Sequence, residues 1–127
     1  MAFRTEILSD ELVRHVATGD ITMDAIVSAY MGWIENPFFN PFLPVLWDVR
    51  RHGIRIAARD FMRLPERTNQ VTGKRRAGMR TAVLVDSVNA EFVATTIAGH
   101  HEWAVDIRVF RDEDAARRWL RGTADEP

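Results

Sequence analysis

The chain reads as a single small α/β domain built on a sheet with parallel strands, and three observations predict this. Val45-Leu46-Trp47-Asp48 and Ala82-Val83-Leu84-Val85-Asp86 are short apolar runs that each stop at an aspartate. A third run, Ile107-Arg108-Val109-Phe110, leads directly into an acidic helix start. Continuous apolar runs of four or five residues suit strands covered by helices better than the alternation of a half-wet antiparallel sheet. Helical patterns separate the runs. No constellation of residues specifies a reaction, so the fold is marked more clearly than the job.

The 127 residues, 46% of them hydrophobic, are enough for one core that buries roughly two-thirds of the unfolded surface. The expected domain covers residues 1–122, with a frayed tail over 123–127. Apolar runs fall far short of the roughly 20 residues needed to span a bilayer. The start Met-Ala-Phe-Arg-Thr-Glu lacks the apolar stretch of a signal peptide, so the expected location is cytoplasmic, with peripheral membrane contact as an option. The absence of cysteine excludes disulfides, thiolate chemistry and cysteine zinc sites. The net charge of −1 hides an asymmetry: from Asp48 to Arg80 there are ten basic residues against three acids, and elsewhere seven against fifteen. A basic middle between acidic ends suits either an anion-facing surface or pairing between regions of the same or another chain.

Taken in order, Phe3 to Leu8 and Leu12 to Ala17 flank a Ser-Asp-Glu turn and predict an antiparallel hairpin. Thr22 is the expected N-cap of a helix with Asp24 in its first turn, where the dipole favours a carboxylate. Met23, Ile26 or Val27, Tyr30 and Trp33 or Ile34 then recur at helical spacing up to Asn36-Pro37. Asn36-Pro-Phe-Phe-Asn-Pro-Phe-Leu-Pro44 is a connector stiffened by three prolines, its phenylalanines expected under the domain, with an exposed aromatic lip as the alternative. After strand Val45–Asp48 comes a basic turn, then a helix between Ala57 and Gln70 that Pro65 either kinks or restarts. Gly73 to Gly78 is a basic loop and Thr81–Asp86 the central strand. Ser87 or Asn89 caps a helix containing Phe92 and Val93, which Gly99 closes. Beyond strand Ile107–Phe110, Asp112 caps a last helix that buries Ala115, Ala116, Trp119 and Leu120. No repeats, linkers or low-complexity tracts interrupt this pattern.

The resulting order is ββαβαβαβα. Gly19-Asp20-Ile21-Thr22, Val45-Leu46-Trp47-Asp48-Val49-Arg50 and Val109-Phe110-Arg111-Asp112…Ala115…Trp119-Leu120 resemble the bacterial SpoIIAA-like group, within the wider set of STAS and SEC14-like domains. The resemblance runs from about Ile7 to Leu120. It implies a four- to five-stranded mixed sheet with helices mainly on one face. Anti-anti-sigma factors of this kind are switched by phosphorylation of a serine just after a central strand. The matching stretch here, Val49-Arg50-Arg51-His52, contains no serine or threonine. A regulator working through a kinase partner is therefore the alternative reading, with Ser87 the remaining strand-end acceptor.

Catalysis is not expected. A hydrolase needs a nucleophile, base and orienting acid, and no Gly-x-Ser-x-Gly elbow is present. His100-His101-Glu102 invites a metal reading, but adjacent side chains diverge on a helix and alternate on a strand, so no metal or other cofactor is expected. Asp48 and Asp86 end neighbouring strands, where open α/β sheets bind ligands; each also suits a loop cap or an ion pair with Arg50 and Arg51. Arg55, Arg59, Arg63 and Arg67 recur every four residues, which an unbroken helix would gather within roughly 120°. That row is either a solvated face or a surface for anionic lipid head groups, nucleic acid or an acidic partner.

The expected protein is thus a non-enzymatic binding module that holds a small apolar ligand or meets a membrane or protein partner. Tyr30, Trp33, Trp47, Asp48, Phe61 and Phe92 are the candidate ligand residues; Arg55, Arg59, Arg63 and Arg67 are the candidate anion surface. A homodimer is expected through the hairpin residues Phe3, Thr5, Ile7, Val13, His15 and Ala17, on the face that a one-sided helical layer would leave open. Nucleic acid is not an expected partner, because no aromatic–basic RNA signature or helix-turn-helix is evident.

Overall fold

The computed structural model describes residues 2–8, 11–40, 42–55, 79–99 and 106–122. Its elements are β1 (Phe3–Leu8), β2 (Leu12–Ala17), α1 (Met23–Ile34), β3 (Val45–Asp48), β4 (Arg80–Leu84), α2 (Val88–Ala98), β5 (Asp106–Phe110) and α3 (Glu113–Leu120). The helix predicted between Ala57 and Gln70, the basic loop at 73–78 and the tail at 123–127 lie outside the described residues.

The five strands form one sheet in the order β1-β2-β3-β4-β5. β1 and β2 are an antiparallel hairpin in register from Phe3↔Ala17 to Leu8↔Leu12. Every later pairing is parallel. The steps β2-α1-β3 and β4-α2-β5 advance the same way across the sheet, so right-handed crossovers put both helices on one face. α1 and α2 accordingly pack Ala25, Ile26, Ala29, Ala90 and Ala94 with Phe3, Ala17, Val49 and Val85. α3 follows the last strand and has no crossover to complete. It covers the opposite face, packing Ala116, Trp119 and Leu120 on Leu12, Leu46, Ala82 and Leu84.

The two-sided cover explains why β3 reads as a continuous apolar run: Val45 and Leu46 are both fully buried, in opposite layers. It also corrects one expectation. Phe3, Val13, His15 and Ala17 are buried within the chain, so that side of the hairpin is not an open face for a second copy. His15 is held by a 2.8 Å hydrogen bond between its Nδ1 and Thr5 Oγ1, and its ring lies 4.2 Å from that of Trp47.

Helix starts follow the residues that cap them. The Ala25 amide donates to Thr22 Oγ1 at 3.2 Å, Ala90 to Ser87 Oγ at 3.1 Å, and Ala115 to Asp112 Oδ2 at 3.2 Å. Arg55 N donates to Ile21 O, and Ile21 N to Gly53 O, tying the loop after β3 to the entry of α1. Trp119 is the largest side chain of the α3 layer and is fully buried. The Arg80 and Arg108 guanidinium carbons lie 5.1 and 5.3 Å from its ring centroid, and Arg80 also donates to its carbonyl.

Trp119→Ala removes the side chain on which α3 sits, and should lower unfolding stability by about 3–5 kcal/mol. Urea denaturation followed by circular dichroism checks this. An unchanged midpoint would show that α3 contributes nothing to the cooperative core.

Candidate functional site

The carboxyl ends of β3 and β4 gather the predicted aspartates. Asp48, the last residue of β3, is only 5% exposed and lies on the α3 face. Its carboxylate accepts from Arg14 Nη2 at 2.8 Å, from Arg50 Nη2 and Nε at 2.7 and 2.9 Å, and from the Arg50 amide at 3.2 Å. Glu113, in the first turn of α3, takes the other side of the same arginines at 3.2 and 3.5 Å and pairs with Arg117 at 3.0 Å. Burial alone would push the Asp48 carboxyl up, but the hydrogen bonds from Arg50 and Arg14 outweigh it and hold it at about 2, below its ordinary 3.8. The same contact with Asp48 raises the Arg50 guanidinium. Both carboxylate oxygens of Asp48 are occupied by arginine, which makes it a structural anchor.

The chain leaves this anchor through a strained turn. Arg51 has φ of 72°, a left-handed conformation that costs a non-glycine residue about 1–2 kcal/mol. Two carboxylates hold it there: Asp48 fixes the preceding amide, and Asp86 accepts from the Arg51 amide at 3.2 Å. Both strand-end aspartates therefore serve the loop between them. Ser87 Oγ is occupied as the α2 cap.

The candidate ligand residues are dispersed. Trp33 is buried with Val13, Leu43 and Val45, its ring 5.1 Å from Phe39. Trp47 borders the same cluster and meets Phe3 edge-on at 5.1 Å. Tyr30 is buried on α1. Asp48 lies on the opposite face of the sheet from these three. Phe92, a candidate ligand residue, is 70% exposed, because Ala90 and Ala94 make the close contact of α2 with the sheet. It lines a shallow surface depression with Val88, Glu91, Thr95 and Thr96. Phe61, Arg59, Arg63 and Arg67 lie outside the described residues. Arg55 is exposed and paired with Asp20 at 2.8 Å. Among the described residues no group of three or more acids and histidines could hold a metal, and no helix is long and apolar enough to cross a membrane.

At the amino ends of the parallel strands the structure shows a feature the sequence reading passed over. The connector between α1 and β3 contains a four-residue repeat, Asn36-Pro37-Phe38-Phe39 and Asn40-Pro41-Phe42-Leu43. Each asparagine accepts through Oδ1 from the phenylalanine two residues on, Asn36 from Phe38 at 2.8 Å and Asn40 from Phe42 at 3.0 Å. Each also accepts through its carbonyl from the fourth residue, Phe39 at 2.9 Å and Leu43 at 3.2 Å. The repeat turns its fourth residue inward, Phe39 against Trp33 and Leu43 into the core, and its third outward. Phe38 is 78% exposed and Phe42 59% exposed. Of the two expectations for the connector, tucking under the domain holds for Phe39 and the exposed aromatic lip for Phe38 and Phe42.

With this geometry the chain is similar to a crystallised, uncharacterised protein of the DUF3478 family from Shewanella loihica PV-4, described as having a SpoIIAA-like fold. The likeness has a TM-score of 0.59 at 16% identity, over 94% of this chain and 92% of that one. The chain has a SpoIIAA-like fold. No family model matches it, and no curated protein does. Within the SpoIIAA-like fold, the turn after β3 carries arginines fixed by two aspartates and no hydroxyl residue.

Because the folded-state carboxyl of Asp48 titrates below its ordinary value, its contribution is complete above about pH 4 and is lost as pH falls through 2. The shift corresponds to about 2 kcal/mol. Asp48→Asn should be less stable than wild type by about that amount at pH 7, and the difference should shrink progressively below pH 4. Urea titrations at a series of pH values read this directly; a gap independent of pH would remove Asp48 as the anchor.

Proposed function

We propose that the protein is a non-enzymatic binding module that docks peripherally on an anionic membrane surface through Phe38 and Phe42. The observation that carries this reading is the pair of repeated turns, which hold two phenylalanines outward while their neighbours are locked inward. Preordered apolar tips lose little conformational freedom on insertion and gain the transfer energy of aromatic surface. Charge supports the same reading. β4 begins at this edge with Arg80, and Lys74-Arg75-Arg76 precede it by only four to six residues in sequence. The arginine row at 59, 63 and 67 belongs to the same proposal as a source of attraction to anionic lipid, at about 1 kcal/mol per residue near the surface.

One observation favours a second occupant, an apolar ligand carrying a hydrogen-bond acceptor. The Trp33 indole N–H is buried among apolar side chains with no hydrogen-bond partner. Native mass spectrometry of protein purified from cells would show a bound mass. Repeatedly ligand-free protein with a filled α1 layer would eliminate this second reading.

Vesicle co-sedimentation tests the main reading. Phe38→Ala/Phe42→Ala should weaken binding to anionic vesicles by about 3 kcal/mol, on the order of a hundredfold, with circular dichroism unchanged. Arg59→Glu/Arg63→Glu should weaken it by about 2 kcal/mol, and raised salt should weaken the wild type. Equal binding by wild type and the phenylalanine variant, or binding by neither, would overturn the proposal.

A further inference from the structure

β1 closes one side of the sheet and, among the described strands, pairs only with β2. The Thr18 amide donates to Ala2 O at 2.7 Å, and on the other side of β2 the Val13 amide donates to Pro44 O at 3.0 Å. Alternation along the antiparallel ladder then turns the backbone groups of Arg4, Glu6 and Leu8 toward β2. Those of Phe3, Thr5 and Ile7 point away, toward the edge. The side chains alternate as well. Phe3 and Ile7 pack on the α1 face. Leu8 packs on the α3 face and Glu6 reaches Arg14 there, so Arg4, two residues from Glu6, shares that face. The Arg4 side chain is 64% exposed and lies 3.1 Å from the Glu6 carboxylate of its own strand.

A strand with open edge groups is a template for another strand, and its charges decide which one fits. Two copies of β1 that meet antiparallel about a two-fold axis through Thr5 place Phe3 opposite Ile7 of the other copy, and Arg4 opposite Glu6. All three outward residues of each copy then fall in hydrogen-bonded pairs. Arg4 and Glu6 fall between them, at the close positions where α-carbons are about 4.5 Å apart. The ion pair within each strand is kept, because the exposed guanidinium has one carboxylate beside it and gains another across from it. Four charges of alternating sign close a ring. Moving the axis one residue either way sets Arg4 against Arg4 or Glu6 against Glu6, and like charges directly opposite repel. It also carries one outward residue of each copy past the end of the partner strand. Moving the axis two residues sets Arg4 against Ala2 or Glu6 against Leu8. The register centred on Thr5 combines the edge groups with charge complementarity.

We propose that the partner of this edge is a second copy of the chain, joined through antiparallel β1 strands with Thr5 on the two-fold axis and reciprocal Arg4–Glu6 pairs. The contact uses the same patch on both copies, so it closes at two protomers and joins two five-stranded sheets into one. The second copy meets the edge of the hairpin, not the face that α1 covers. The contact uses neither Phe38 nor Phe42, so the proposal stands whether or not the membrane reading does.

Sedimentation velocity at micromolar concentration should give wild type at twice the 14.6 kDa protomer mass. Arg4→Glu should sediment as a monomer, since each edge then carries only anions at the paired positions. The double variant Arg4→Glu/Glu6→Arg should dimerise again, because the exchange restores opposite charges across the axis. Circular dichroism checks that both variants fold. Wild type supplies a readout without substitution: amide exchange at Phe3, Thr5 and Ile7 should slow as protein concentration rises, while that of Arg4 and Glu6, already bonded to β2, stays constant. A monomeric wild type, a dimeric Arg4→Glu variant, a folded double variant that stays monomeric, or edge amides indifferent to concentration would each overturn the proposal.

Discussion

A carboxylate held beneath the surface at the end of the central strand organises the chain around it. Removing Asp48 from water carries a large desolvation cost, and only close cations with good geometry can offset it. Arg14 reaches it from β2 and Arg50 from the turn after β3, so the hairpin and the strand exit are tied to one point. Those arginines carry more charge than Asp48 alone balances, and Glu113 completes the cluster from the first turn of α3. α3 is thereby fixed at its start by ions and at its end by Trp119 between the arginines of β4 and β5. The helix sits on the face that the right-handed crossovers leave uncovered.

This arrangement makes the two ends of the sheet unlike each other. At the carboxyl end, Arg14, Arg50 and Arg117 meet Glu6, Asp48 and Glu113 in a charge-balanced cluster of ion pairs within the chain. The Arg51 turn beside it is held by Asp48 and Asp86, which explains how a non-glycine residue keeps a left-handed backbone. At the amino end the connector directs two phenylalanines into solvent from hydrogen-bonded turns. The amino end therefore exposes apolar surface where the carboxyl end is occupied by ion pairs.

Much of the fold was legible because its signals are local. Thr22, Ser87 and Asp112 stand where a side-chain oxygen meets the third amide of a helix, and all three do so in the structure. The apolar runs ending at Asp48 and Asp86 mark β3 and β4 because strands buried on both faces need no alternation. What failed was the direction of individual side chains. Phe92 was singled out as a candidate ligand residue; small Ala90 and Ala94 let α2 approach the sheet and leave Phe92 outside. In the connector the outward phase of Phe38 and Phe42 is set by asparagine turns, a signal present in the four-residue repeat and hidden by the run of aromatics. Asp48 was singled out as a ligand group, but its environment depends on Arg14 and Glu113, 34 and 65 residues away in sequence (48 − 14 and 113 − 48). No local pattern announces such a meeting.

The dependence of α3 on Asp48 can be measured amide by amide. Hydrogen exchange of wild type and Asp48→Asn at neutral pH reports the opening of each helix separately. The α3 amides and those of Arg50 and Arg51 should lose protection together in the variant, while α1, on the opposite face, keeps its own. Unchanged protection of α3, or equal loss across α1, α2 and α3, would contradict Asp48 as the anchor of that layer.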